Sequence, residues 1–201
     1  MSGATARIAA HSLLPLRSYE QRRRELRARA IAHRRDRCLA LGPALRLQFE
    51  DEVSVRHQIQ EMLHVERISD PAAVQHTIDD YVHLLGEDRL WTATLFIELP
   101  DARRREREMP LLSQAAHHLY LGCAGHARVV AAANLDLSDR HRGRPSGVHF
   151  LRFGLGEAVH EALHAGAAAV LGCAHPTYAW QRTVPAALLR RLCSATHSAA
   201  G

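Results

Sequence analysis

Lysine is absent: all 26 basic residues among the 201 are arginine. That excludes lysine Schiff-base chemistry and a P-loop, whose phosphates need a lysine. Aromatic residues are 5 % against 47 % hydrophobic, so any core must be aliphatic. No run approaches the roughly 18 apolar residues of a membrane span. Arg7 and His11 interrupt the first apolar residues, so the N-terminus does not read as a signal peptide. The four cysteines (Cys38, Cys123, Cys173 and Cys193) are far apart without a C-x-x-C pair, and they read as small buried hydrophobes in a reducing compartment. The glycines form neither G-x-G-x-x-G nor a phosphate loop, and no serine sits in a G-x-S-x-G elbow. These absences point to a soluble, cytoplasmic protein with no membrane segment. Length and composition suit one domain at 16–195, flanked by a flexible leader at 1–15 and a frayed tail at 196–201.

The basic charge is concentrated. Residues 17–37 carry nine arginines against Glu20, Glu25 and Asp36, a net +6, while the rest of the chain is near neutral. The spacing of Leu16, Tyr19, Leu26 and Ala30 predicts a helix there, with Arg23 inside its apolar stripe and held by a carboxylate. Cys38–Leu41 and Ala44–Phe49 read as strands around the Gly42-Pro43 turn. A second helix, Glu52–Arg67, has an apolar stripe of Val55, Ile59, Met62 and Leu63. Helical phase puts Glu66 near its centre and lines up His57, Glu61 and His64 on the opposite face. A third helix starts at Ser69-Asp70-Pro71 and runs to Leu85. Leu90–Leu99 is the clearest strand. It is followed by a charged helix to Gln114, strands at His118–Cys123 and Ala127–Ala133, and a polar loop at 138–147. The last expected elements are a strand at Val148–Phe153, a helix at Leu155–Ala165, a strand at Ala167–Cys173 and a helix at Val184–Cys193. Without a regular βαβ rhythm the class is α+β: a mixed or antiparallel sheet of about six strands packed with about five to six helices.

Four constellations invite chemistry or binding. His160-Glu161-Ala162-Leu163-His164 matches the H-E-x-x-H of zinc peptidases, a metal-dependent hydrolase reading whose third ligand would be Cys173, His175 or His197. No carboxylate follows Glu161, and helical phase turns both histidines from the apolar stripe, so the match reads as incidental. Glu61-x-x-His64 is a lone half-site of the di-iron type, so iron or zinc is not the favoured reading. Cys123/His126 and Cys173/His175 would form a Cys2His2 site if the two LGCA segments, 121–124 and 171–174, met end to end. The arginine-rich helix at 17–37 offers RNA binding, but only Tyr19 could stack on a base, and the carboxylates of Glu50-Asp51-Glu52 are expected to pair its arginines.

The stretches SYEQRRRELRARAIAHRRDRCLALGP, LQFEDEVSVRHQIQEMLHVERI, VHFLRF and HPTY resemble the bacterial family known as domain of unknown function 3501, over about residues 13–180. The matching positions are Phe49, Glu50, Gln58, Gln60, Glu61, Met62, Glu66, Arg67, His149, Arg152, His175 and Pro176. The H-E-x-x-H and the cysteines lie outside the pattern. The resemblance implies no established activity. It does imply a setting beside rubrerythrin-like proteins and an iron–sulfur oxidoreductase, hence an accessory role in redox or peroxide metabolism.

The expected site is therefore a buried polar cluster of Arg23, Glu61, Glu66 and His149, with Arg67, Arg152 and His175 as further candidates. A carboxylate on an apolar helix face must be paired, protonated or ligating. The leading expectation is a non-catalytic accessory protein that binds a protein partner or a small ligand. Nucleic acid is not the expected partner.

Overall fold

Alternating apolar residues set the strands. Cys38–Leu41 (β1) and Leu45–Phe49 (β2) form a hairpin around Gly42-Pro43, and Leu90–Ile97 (β3) pairs antiparallel with β2. Leu45, Leu47 and Phe49 share a buried face with Trp91, Ala93, Leu95 and Ile97. The opposite face is polar, yet Gln48, Thr92 and Thr94 on it are also buried. The computed structural model describes residues 8–87, 89–133 and 145–195. The loop expected at 138–147 lies outside them except for its last three residues.

These residues divide into two compact units, so the stretch expected as one domain comprises both. The first takes residues up to Asp36 together with Glu50–Leu85; the second takes Arg37–Phe49 and the chain from Gly86 onward. In the first unit, helix α1 (Leu16–Arg35) runs antiparallel to α2 (Glu52–Val65), and α3 (Pro71–Val82) follows. Asp51 caps α2 by accepting from the Ser54 amide, while Ser54 Oγ accepts from the Asp51 amide, a reciprocal box that fixes where the helix begins. The helix ends two residues before its expected limit. The amides of Arg67 and Ile68 donate to the carbonyls of His64 and Leu63 with Arg67 at φ 54, a Schellman closure. The expected leader is anchored from Ile8 on: Ile8 is fully buried, and Gln60 brackets Leu14 by accepting from its amide at 2.6 Å and donating to its carbonyl at 3.2 Å.

The second unit holds two antiparallel sheets, not one. The remaining strands are Leu119–Cys123 (β4), Val129–Val130 (β5), Ala132–Ala133 (β6), Val148–Gly154 (β7), Ala169–His175 (β8) and Tyr178–Thr183 (β9). The first sheet has five strands in the order β1-β2-β3-β7-β6; the second has four, in the order β5-β4-β8-β9. The strand expected at Ala127–Ala133 is thus two short ones in different sheets, joined at the buried Ala131. Helices α4 (Ala102–Ala115), α5 (Glu157–His164) and α6 (Ala186–Ala195) complete the unit. The class is α+β. One apolar cluster runs from Leu39 to Cys193 and joins the inner faces of both sheets.

Two details hold that unit together. The buried Tyr178 hydroxyl donates to the Leu41 carbonyl at 2.7 Å and accepts from the Ala44 and Leu45 amides at 3.0 and 3.3 Å, tying β9 to the β1–β2 turn. Tyr120 lies opposite Gly172, and its ring fills the space a β-carbon would occupy there. The two LGCA segments pair antiparallel with Leu121 opposite Leu171, which sets Cys123 opposite Ala169 and Cys173 opposite Leu119. Four residues of strand, about 13 Å, therefore separate the cysteines along the ladder, and the end-to-end meeting that a Cys2His2 site would have required does not occur.

Candidate functional site

The polar chemistry of the first unit gathers where α1 faces α2. Arg23 lies in the apolar stripe of α1, and Glu61 lies on the polar face of α2. They meet as a bidentate pair, Nε to Oε1 at 2.9 Å and Nη2 to Oε2 at 2.8 Å. Tyr19, one turn before Arg23, donates its hydroxyl to Glu61 Oε1 at 2.7 Å, and its oxygen lies 3.4 Å from His57 Nδ1. The Tyr19 ring also sits against His64, with centroids 5.9 Å apart. The Arg23 hydrogen bond, followed by that of Tyr19, holds the Glu61 carboxyl down at about 2. Burial, then the neighbouring Glu61 carboxylate, keeps the Tyr19 hydroxyl protonated well above the usual phenol range. Burial, then the Arg34 guanidinium, pushes the His57 imidazole below its ordinary value, so it is neutral at pH 7.

Two of these groups, Tyr19 and His57, line a cleft of about 400 Å³. Its walls are Leu14, Tyr19, Leu26, Ala30 and Val53, and its rim carries Ser12, Arg29, His33, Glu52, Arg56, His57 and Gln60. The polar groups of the rim are paired: Arg29 with Glu25 at 2.7 Å, Arg56 with Glu52 at 2.7 Å, and His33 with Asp51 at 2.8 Å. Arg56 also donates to the Ser12 carbonyl at 3.0 Å, which closes one end of the cleft with the segment that Gln60 anchors. Beside it, the buried Glu50 accepts from Ser54 Oγ at 2.6 Å and Gln58 Nε2 at 3.1 Å.

The expected cluster is only half assembled. Arg23 and Glu61 meet, each half-buried rather than buried. Glu66 is exposed rather than buried: its amide still donates to the Met62 carbonyl, but it caps α2 at the end of the helix, where the Schellman closure begins. Arg67 is exposed as well, with Nη1 3.6 Å from Glu20 Oε1. His149 belongs to the second unit, where Nε2 lies 2.9 Å from the Ser146 carbonyl and 3.3 Å from Ser113 Oγ. A carbonyl only accepts, so that nitrogen carries a proton and cannot serve Ser113 as a base. Arg152, half-buried on β7, stands opposite Thr92. His175, buried at the end of β8, accepts at Nδ1 from the Thr177 amide at 3.4 Å and packs edge-on against His118 at 5.1 Å.

His160 and His164 lie ring to ring at 4.2 Å on α5, and Glu161 is exposed. Of their proposed third ligands, Cys173 is buried with Sγ 3.7 Å from the Ala115 carbonyl, and burial pushes its thiol up; His197 lies outside the described residues. Among the described residues no group of three or more His, Cys, Asp or Glu is placed to hold a metal ion. Nor does any described helix have the length and apolarity to cross a membrane. Among the α1 arginines, Arg22 and Arg29 lie against Glu25 and Arg23 pairs with Glu61, while Asp51, in the expected acidic run, meets His33. Tyr19 and His57 are the site residues that sequence reasoning missed. The signal was the pairing of faces: a tyrosine one turn before the stripe's arginine, and a histidine one turn before the glutamate that arginine needs.

None of the curated proteins compared matches the chain at a significant level. A crystal structure of a novel protein of unknown function from Burkholderia pseudomallei K96243 is 36 % identical, with a TM-score of 0.89, and the match covers 94 % of this chain and 98 % of that one. The family model described as protein of unknown function (DUF3501) matches residues 7–195, which takes in every element of both units, and the chain belongs to that family.

Proposed function

We propose that the protein acts by binding, and that the first unit holds a small ligand in the cleft between α1 and α2. One observation carries the reading: an apolar cleft of about 400 Å³ lined by Tyr19 and His57, the two members of the ordered polar chain Arg23–Glu61–Tyr19–His57 that reach it. That volume lies within the range of small-molecule sites, which are mostly apolar with a few fixed polar groups. Apolar walls supply affinity by excluding water, and the polar chain supplies orientation. Toluene is a suitable probe, read by saturation-transfer NMR on the full chain. Transfer to toluene that disappears in Leu26→Trp, with the melting temperature held, supports the site; transfer unchanged by that substitution refutes it. The redox setting that the family resemblance implies makes a rubrerythrin-like protein or an iron–sulfur oxidoreductase the candidate partner. Co-elution of the purified chain with either one from the same cell supports the accessory role, and independent elution at micromolar concentrations refutes a stable complex.

A further inference from the structure

The chemistry of the ligand can be narrowed from the hydrogen-bond order in the cleft wall, on the reading that the cleft binds small molecules. Glu61 is an acceptor only, so the proton shared with Tyr19 is the phenolic one, and it points at Oε1. The Tyr19 oxygen is then left with lone pairs toward His57 Nδ1, which must supply the proton for that 3.4 Å contact. A neutral imidazole carries one proton, so with Nδ1 protonated, Nε2 is a bare acceptor. Among the described residues Nε2 has no hydrogen-bond partner, and His57 lines the cleft.

We infer that the cleft takes a small aromatic or aliphatic molecule bearing a neutral or weakly acidic hydroxyl, phenol-like in character, whose O–H is received by His57 Nε2. Three observations restrict the class. Nε2 accepts, so the ligand must donate. The groups acting on His57 are the guanidinium ions of Arg34, Arg27 and Arg23 against the single Glu61 carboxylate, a positive balance that disfavours an ammonium donor. The walls of Leu14, Leu26, Ala30 and Val53 require an apolar body. Arg23 and Glu61 act through Tyr19 and are positioning residues: they fix the hydroxyl that fixes the imidazole tautomer.

Phenol and toluene have nearly the same shape and differ in the donor, so the pair isolates it. Both are titrated against the full chain and against His57→Phe, which keeps an aromatic ring and removes the acceptor. Long-range ¹H–¹⁵N spectra of the histidine side chains are recorded with and without phenol. The expected result is a phenol-to-toluene affinity ratio lowered about fivefold in His57→Phe, matching the loss of one neutral hydrogen bond. The Nε2 resonance of His57 should also shift on adding phenol, from a spectrum already showing the Nδ1–H tautomer. If toluene binds and Leu26→Trp blocks it, but phenol is indifferent to His57→Phe, the hydroxyl assignment is overturned and the cleft as a binding site stands. If neither molecule binds, or both survive Leu26→Trp, the cleft itself is not the site and the assignment falls with it. Should Leu26→Trp fail to fold, Val53→Trp, on the exposed part of the cleft wall, provides the block.

Discussion

Replacing Glu61 with Gln removes the charge at the centre of the α1–α2 contact and keeps its shape. A carboxyl held at about 2 instead of 4.5 corresponds to about 3 kcal/mol of preference for the charged folded state at neutral pH. The Arg23 and Glu61 side chains retain 34 % and 23 % of their surface in water, and that exposure screens the pair to about 1–2 kcal/mol. The folded-state value lies below the unfolded one, so the native protein binds fewer protons. The stabilisation is complete above about pH 5 and is lost as pH falls toward 2, with roughly 60 % of it gone at pH 3. Urea unfolding followed by circular dichroism at pH 7 and pH 3 tests this. Wild type should exceed Glu61→Gln by about 1–2 kcal/mol at pH 7, and the gap should shrink by more than half at pH 3. A gap of equal size at both values would mean that the charge contributes nothing, and that Gln acts only by disturbing the Tyr19 and Arg23 hydrogen bonds.

Tyr178→Phe deletes the hydroxyl that serves the Leu41 carbonyl and two turn amides in a buried site. It should cost about 2–3 kcal/mol in chemical denaturation, and a cost below about 0.5 kcal/mol would show that the turn satisfies itself. Glu66→Ala should leave unfolding within about 0.5 kcal/mol of wild type, as expected for an exposed residue; a loss of several kcal/mol would mean the residue is buried after all.

Periodicity carried the long elements well. The stripes of α1 and α2, the alternation in β3 and the Gly42-Pro43 turn are all dominated by local spacing, and their limits fell within a few residues of the expected ones. Strand β9 escaped detection because Tyr178 is its one buried residue, so there was no alternation to see. The division of the strands into two sheets is set by pairings such as β4 with β8, about 50 residues apart, and such partners leave no local mark. Within the site, the arginine in an apolar stripe correctly announced a carboxylate partner, and Glu61 is that partner. The misplacement of Glu66 had a narrow cause: a Schellman closure that uses Arg67 at φ 54, where glycine would have flagged the end of the helix. The meeting of Tyr19 with His57 was not legible, because it depends on how two helix faces register across a connection that contributes a hairpin to the other unit.

That connection bears on the ancestry of the molecule. The chain passes between its two units three times, after residues 36, 49 and 85. A fragment ending at residue 85 would carry β1 and β2 but not β3, the neighbour that covers the open edge of β2. Leu41 and Leu47, now wholly buried, and Phe49, 1 % exposed, would face water along an unpaired strand, a template for aggregation. The complementary fragment would lack two of the five strands of its larger sheet. No single recombination breakpoint can therefore hand either unit to another protein in working order. Gene shuffling can copy this chain only whole, and lineages that keep the cleft must inherit both sheets with it.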